Sequence, residues 1–261
     1  MGFLITLPKE SVSSRIPFLH PAKKTALAYN ALLTMLIQLE AVTHRLHERV
    51  LNYSQLRSEE VEPEPVLNIQ ITIAEVWEIM DAMRRAQRFW PIVKLPTDNQ
   101  ARRVMDNIKA VRDSFQHLDE RLEQYFQDAG DSVFGDIYWR YRPTSDAQEE
   151  VYTWATGVTI GPANFTKAGI RTNDERFLGQ TGVYDFNLIY IERELRHQGK
   201  KLRHPKHKYI QISLDEAAAV FNQTIHQLDV QSKELIETWQ KAAGHERLPI
   251  RGLPPVLIRL K

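Results

Sequence analysis

Arg112-Asp113-Ser114-Phe115-Gln116-His117 places a permanent cation and a proton-transferring side chain a few positions apart. An arginine clamps a phosphate oxygen pair through two parallel hydrogen bonds. A histidine moves a proton near neutral pH without a metal. Together the two types supply what metal-free phosphodiester cleavage requires: charge stabilisation from Arg112 and general acid–base work from His117. The spacing by itself is a cheap pattern, and Arg15 with His20 also matches it, in a proline-broken lead-in without a scaffold. The plainer reading of the stretch is a solvated helix face with ordinary ion pairs, Arg112 with Asp119 or Asp113 with His117.

The element that must position these residues is a helix opened by the capping signal Thr97-Asp98-Asn99-Gln100 and ending near Gly130. Its apolar stripe is Val104, Ile108, Val111, Phe115, Leu118, Leu122 and Tyr125, and Arg112 and His117 lie off it. Five positions on an ideal helix leave two side chains about 140° apart, so Arg112 and His117 do not share a face. Two copies of the helix packed antiparallel about a two-fold axis would bring them together, which predicts a homodimer. Asp113 and His117, four apart, do share a face, and Asp113 is placed to orient the imidazole.

Around this helix the chain reads as one domain. Apolar positions recur at helical steps over 22–52, after Pro21, and a second helix runs from the capping-box form Thr72-Ile73-Ala74-Glu75 to about Trp90. The acidic, proline-bearing stretch 58–65 between them reads as a loop. Residues 133–213 are rich in aromatic and β-branched types, with strands predicted over 136–141, 151–160, 184–192 and 208–212. A capping box at 213–216 then opens a last long helix. The expectation is a mainly α chain: an antiparallel bundle over about 22–128 and 214–242, with a β-rich insertion over about 133–213 before the last helix.

The segment 111–122, Val-Arg-Asp-Ser-Phe-Gln-His-Leu-Asp-Glu-Arg-Leu, resembles the signature helix of HEPN domains (higher eukaryotes and prokaryotes nucleotide-binding) and bacterial HEPN-like proteins of unassigned function. Arg112, Asp113 and His117 fit the family motif position for position. The order of parts is similar too, although the long β segment is absent from many members. The resemblance implies a metal-independent endoribonuclease acting through the substrate's 2′-hydroxyl, in a stress or phage-defence setting, with a protein neutraliser or other partner. It equally implies the family's alternative, a catalytically silent module that binds nucleotides or partners.

Composition bounds the rest. The 261 residues include no cysteine, which excludes disulfides, thiol catalysis and cysteine-based zinc sites. Net charge is +1, so any surface for nucleic acid is local. The one dense basic run carries Lys200, Lys201, Arg203, Lys206 and Lys208 and reads as a handle on an RNA backbone or as a solvated hairpin loop centred on Gly199 and Pro205. Arg84, Arg85 and Arg88 read as a second basic patch or a wet helix face. Tyr138, Trp139, Tyr141, Tyr152 and Trp154 are candidates for base stacking, about half of them core by alternation. Glu40, His44 and His47 have ligand-like spacing beside Arg45, Glu48 and Arg49, a wet setting, so no metal and no cofactor is expected. Gly2 with Thr6 matches a loose myristoylation pattern. No apolar run is read as reaching the length of a membrane span, and a cytoplasmic location is expected.

Overall fold

The computed structural model describes residues 2–8, 22–58, 65–115, 134–154, 175–197 and 200–242. Four α-helices, a short 3-10 turn (Glu175–Phe177) and one sheet make up the described elements. Helices α1 (Lys23–Ser58), α2 (Pro65–Gln87) and α3 (Asn99–Phe115) come first. Strands β1 (Asp136–Arg142), β2 (Glu150–Trp154), β3 (Gly182–His197) and β4 (Lys200–Ser213) follow, and α4 (Leu214–Ala242) closes the order. The architecture is thus mainly helical, with an antiparallel sheet of order β2-β1-β3-β4 inserted before the last helix.

Three of the helix starts have a local cause. Asp98 accepts the Ala101 N–H at 2.7 Å, and Ser213 accepts the Glu216 N–H at 3.2 Å, each satisfying an orphan donor of the first turn. Helix α2 begins a full two turns before the expected Thr72, with Pro65 in its first position, where a missing N–H is harmless. Thr72 is buried inside the helix, and Glu75 is held by Arg49 and Arg45 of α1, so that capping pattern marks no terminus.

The core lies between the helices and one face of the sheet. It takes Leu32, Leu39, Leu46 and Val50 from α1, Ile79 and Met83 from α2, Ile108 and Val111 from α3, and Phe221 from α4. The sheet contributes Ile137, Trp139, Tyr141 and Phe186. Helix α4 packs on both halves of the fold. Phe221 meets Trp90 at 5.5 Å between ring centroids, and the Tyr29 hydroxyl donates to Gln231 at 2.8 Å. On the sheet side Asp215 accepts the Phe186 N–H. The last helix thus meets α1 through Tyr29, α3 through the Gln100 and Arg103 bonds to Glu216, and the sheet.

A strap at the start of the chain ties α1 to α4. Phe3 and Ile5 are fully buried, and the Phe3 ring lies 4.8 Å from that of Phe186. Ile5 N–H donates to Thr43 and Leu7 N–H to Glu40, while Asn222 of α4 accepts from Thr6 N–H and donates to the Leu4 carbonyl.

One sequence expectation needs correcting here. Within α1, Lys24–Leu56 is long and apolar enough to cross a membrane by length and composition. In this fold, Leu32, Leu39, Val42 and Leu46 of that span sit in the core.

The strands are longer than predicted at the second hairpin. The β3–β4 ladder runs from Asn187↔Ser213 to His197↔Lys200, so the basic run is not a loop but the body of β4. Residues 155–160 of the predicted second strand lie outside the described residues.

Candidate functional site

Arg112 sits in the last described turn of α3, one position past the buried Val111, where the helix turns its edge toward α2. Its side chain is 17 % exposed. The Nε–H donates to Asp81 Oδ1 of α2 at 3.2 Å. Asp81 also accepts from Arg85 one turn on, so two arginines share one carboxylate. The plainer sequence reading paired Arg112 with Asp119, which lies outside the described residues; the partner seen comes from a neighbouring helix. Because Asp81 takes the Nε side, the Nη edge of the guanidinium keeps only a 3.9 Å approach to Asp113 among the described residues.

Arg112 lines a groove of about 620 Å³ between α2 and α3. Ile73, Ala74, Trp77, Phe115 and Phe134 form its apolar walls, and Glu78, Asp81 and Arg112 its polar rim. Trp77 and Phe115 stack at 4.1 Å with 19° between their planes. The Trp77 indole N–H donates to the Phe134 carbonyl at 3.1 Å, which holds the wall in place. Glu78 is already bound to Arg45 at 3.0 Å and to Gln38 at 3.2 Å. Three acids, Glu78, Asp81 and Asp113, and three arginines, Arg45, Arg85 and Arg112, thus meet along this edge, so charge balances beside an aromatic surface.

Of the motif residues, Arg112 and Asp113 fall side by side here, with Asp113 about half exposed at 47 %. His117 lies outside the described residues. Within the Arg84, Arg85, Arg88 patch only Arg85 reaches the Asp81 cluster. Arg84 turns to Gln87, and Arg88 is exposed. Lys200, Lys201, Arg203, Lys206 and Lys208 all fall on β4, away from β1.

The stacking candidates are corrected. Trp139, Tyr141 and Trp154 are core residues, Tyr138 is buried with its hydroxyl accepting from Gln211, and Tyr152 stacks on Trp139. Only Tyr152 remains half-exposed. The ligand-like trio on α1 is also accounted for: Glu40 binds the strap, and burial pushes the His47 imidazole pKa down, with His44 adding to it. Among the described residues no group of three His, Asp or Glu side chains is placed to hold a metal.

Sequence reasoning missed a charged network on the sheet face opposite the core. Arg140 donates to Glu149 at 2.5 Å and to Asp185 at 2.7 Å. Arg142 reaches Glu149 at 3.4 Å, and Tyr184 donates to the same carboxylate at 2.9 Å. The Glu149 side chain is fully buried and that of Arg140 nearly so. Burial works against the Arg140 charge, but Asp185 and Glu149 outweigh it and raise its pKa. Asp185 adopts φ 50° where the β1–β3 register shifts, a bulge that turns its carboxylate to Arg140. Two cations and two anions balance, so the network locks the sheet register and offers no vacant charge for a ligand. The alternation Tyr138, Arg140, Arg142 in β1 was the available signal: it marks a second polar but buried face.

Compared with models of known protein families, with curated proteins and with solved structures, the chain matches none.

Proposed function

We propose that this chain is a HEPN-like nucleotide-binding module whose site is the groove between α2 and α3. The observation that carries the reading is Arg112, held through Nε by Asp81 and lining an aromatic-walled groove. A phosphate fits the planar fork of the guanidinium, and a base extends the Trp77–Phe115 stack. The groove volume falls in the range of small-molecule pockets. Calorimetric titration with uridine 5′-monophosphate tests it. Arg112→Gln should weaken binding about tenfold or more, the loss of one charge-assisted contact. Equal affinity in the wild type and this variant would refute the site.

A second reading, metal-independent endoribonuclease, is favoured by the adjacency of Arg112 and Asp113 at this rim. Here Arg112 stabilises the charge on the phosphorane-like transition state, His117 transfers the proton and Asp113 orients His117. Purified protein then cleaves RNA in excess chelator, leaves 2′,3′-cyclic phosphate ends, and loses activity in His117→Ala and Arg112→Ala. Asp113→Asn should be milder. Nucleotide binding without cleavage leaves the silent module.

A further inference from the structure

Strand β1 accompanies β3 only as far as Asp136↔Ile189. Beyond that point, among the described residues, β3 and β4 pair only with each other, from Tyr190↔Ile210 to His197↔Lys200. The eight β3 positions past Ile189 make a two-stranded ribbon roughly 25 Å long. Positions 191–209 hold seven arginines and lysines against two glutamates, five net positive charges in a chain whose total is +1. The rest of the molecule is therefore net negative, and the positive charge is concentrated on this arm.

Register sorts those charges. Glu192 stands opposite Lys208 and Glu194 opposite Lys206, so the base of the ribbon is matched in opposite-charge pairs. The tip is not. Arg196 stands directly opposite Lys201, and His197 opposite Lys200, with Arg203 close by in sequence. Like charges directly across a ladder destabilise it. A polyanion laid along the tip removes that penalty, and the matched base leaves Arg193, Arg196, Lys200, Lys201 and Arg203 for it.

We propose that this distal ribbon is an RNA-gripping arm that binds the phosphate backbone without reading sequence. The choice of RNA rests on the nucleotide-binding reading of the Arg112 groove; the need for a polyanion rests on the ribbon alone. The grip is electrostatic, so it appears as counterion release. Five phosphate contacts on a single strand give a slope of log affinity against log salt of about −3.5, or roughly a hundredfold loss between 50 and 200 mM salt.

The experiment uses the full chain and a 20-nucleotide polyuridylate, followed by fluorescence anisotropy across that salt range. The triple variant Lys200→Gln, Lys201→Gln, Arg203→Gln should flatten the slope by about 2 and reduce affinity at least tenfold at 100 mM salt. Lys201→Glu separates binding from folding: it gives Arg196 an opposite-charge partner, so the melting temperature stays or rises while RNA affinity falls. An unchanged slope in the triple variant overturns the proposal. So does a polyglutamate of matched charge that binds as tightly as the RNA and is lost in the same variants, which assigns the arm to acidic protein. Uridine 5′-monophosphate keeps the two sites apart. Ribbon variants should retain it, whereas Arg112→Gln should lose it and keep the polymer's salt slope.

Discussion

Asp215→Asn should stabilise this protein at alkaline pH, although it removes a charge from a helix N-terminus where anions are ordinarily welcome. Asp215 lies in the first turn of α4 beneath the β3 bulge. Burial pushes its carboxyl up to about 7, the Phe186 N–H at 2.7 Å opposes that, and the nearby Asp185 charge adds to the rise. A folded pKa above the unfolded one means that the native state binds the extra proton between about pH 4 and 7. Stability then falls as pH rises through that window. The shift from 3.8 to about 7 corresponds to about 4 kcal/mol at 1.36 kcal/mol per pKa unit. The asparagine keeps an oxygen for the Phe186 N–H and carries no charge to bury. Urea unfolding of both proteins at pH 4.5 and 8 measures the difference. The variant should gain about 4 kcal/mol at pH 8 but only about 1 kcal/mol at pH 4.5, where the unfolded carboxyl is mostly ionised and the folded one is not. A gain that is equal at both pH values, or a loss at pH 8, would refute the assignment of the cost to the buried carboxylate.

Glu149→Gln should be among the most damaging single changes, because it leaves Arg140 and Arg142 buried with one anion between them. A loss of about 3–5 kcal/mol is expected in urea unfolding, and under 1 kcal/mol would mean that the network relaxes. Arg103→Ala, which breaks only the exposed pair with Glu216, should change stability by less than about 1 kcal/mol in the same assay. A composite Arg112/His117 site requires two copies of α3, so light scattering should give a homodimer; a monomer at high concentration removes that form of the site.

Periodicity made the helices readable, since each buries a stripe at three- and four-residue steps, as α3 does with Val104, Ile108 and Val111. Their boundaries were less so: Thr72 and Glu75 imitate a capping box, yet their partners are a buried helix packing site and two arginines on α1. The hairpin arms were underestimated for a related reason. Charge in β4 suggests a loop until the register shows Lys206 and Lys208 facing glutamates across the ladder. At the site, the residue types at 112 and 113 were legible, but Asp81 and Trp77 were not, because nothing local in a sequence reports which side chain of a second helix will face them. The Arg140 network shows the same limit, its members drawn from β1, β3 and Glu149 at separations that only folding brings together.

The strap sets an order of events on the growing chain. Leu4 and Asn222 are 218 positions apart, and their hydrogen bond exists only after α4 has been made. At about 5–20 residues per second, ribosomal synthesis separates the two by roughly ten to forty seconds. Until α4 is made, the segment has only its α1 bonds, Ile5 N–H to Thr43 and Leu7 N–H to Glu40. The growing chain therefore carries a half-fastened apolar segment until α4 completes it, a natural handle for a chaperone.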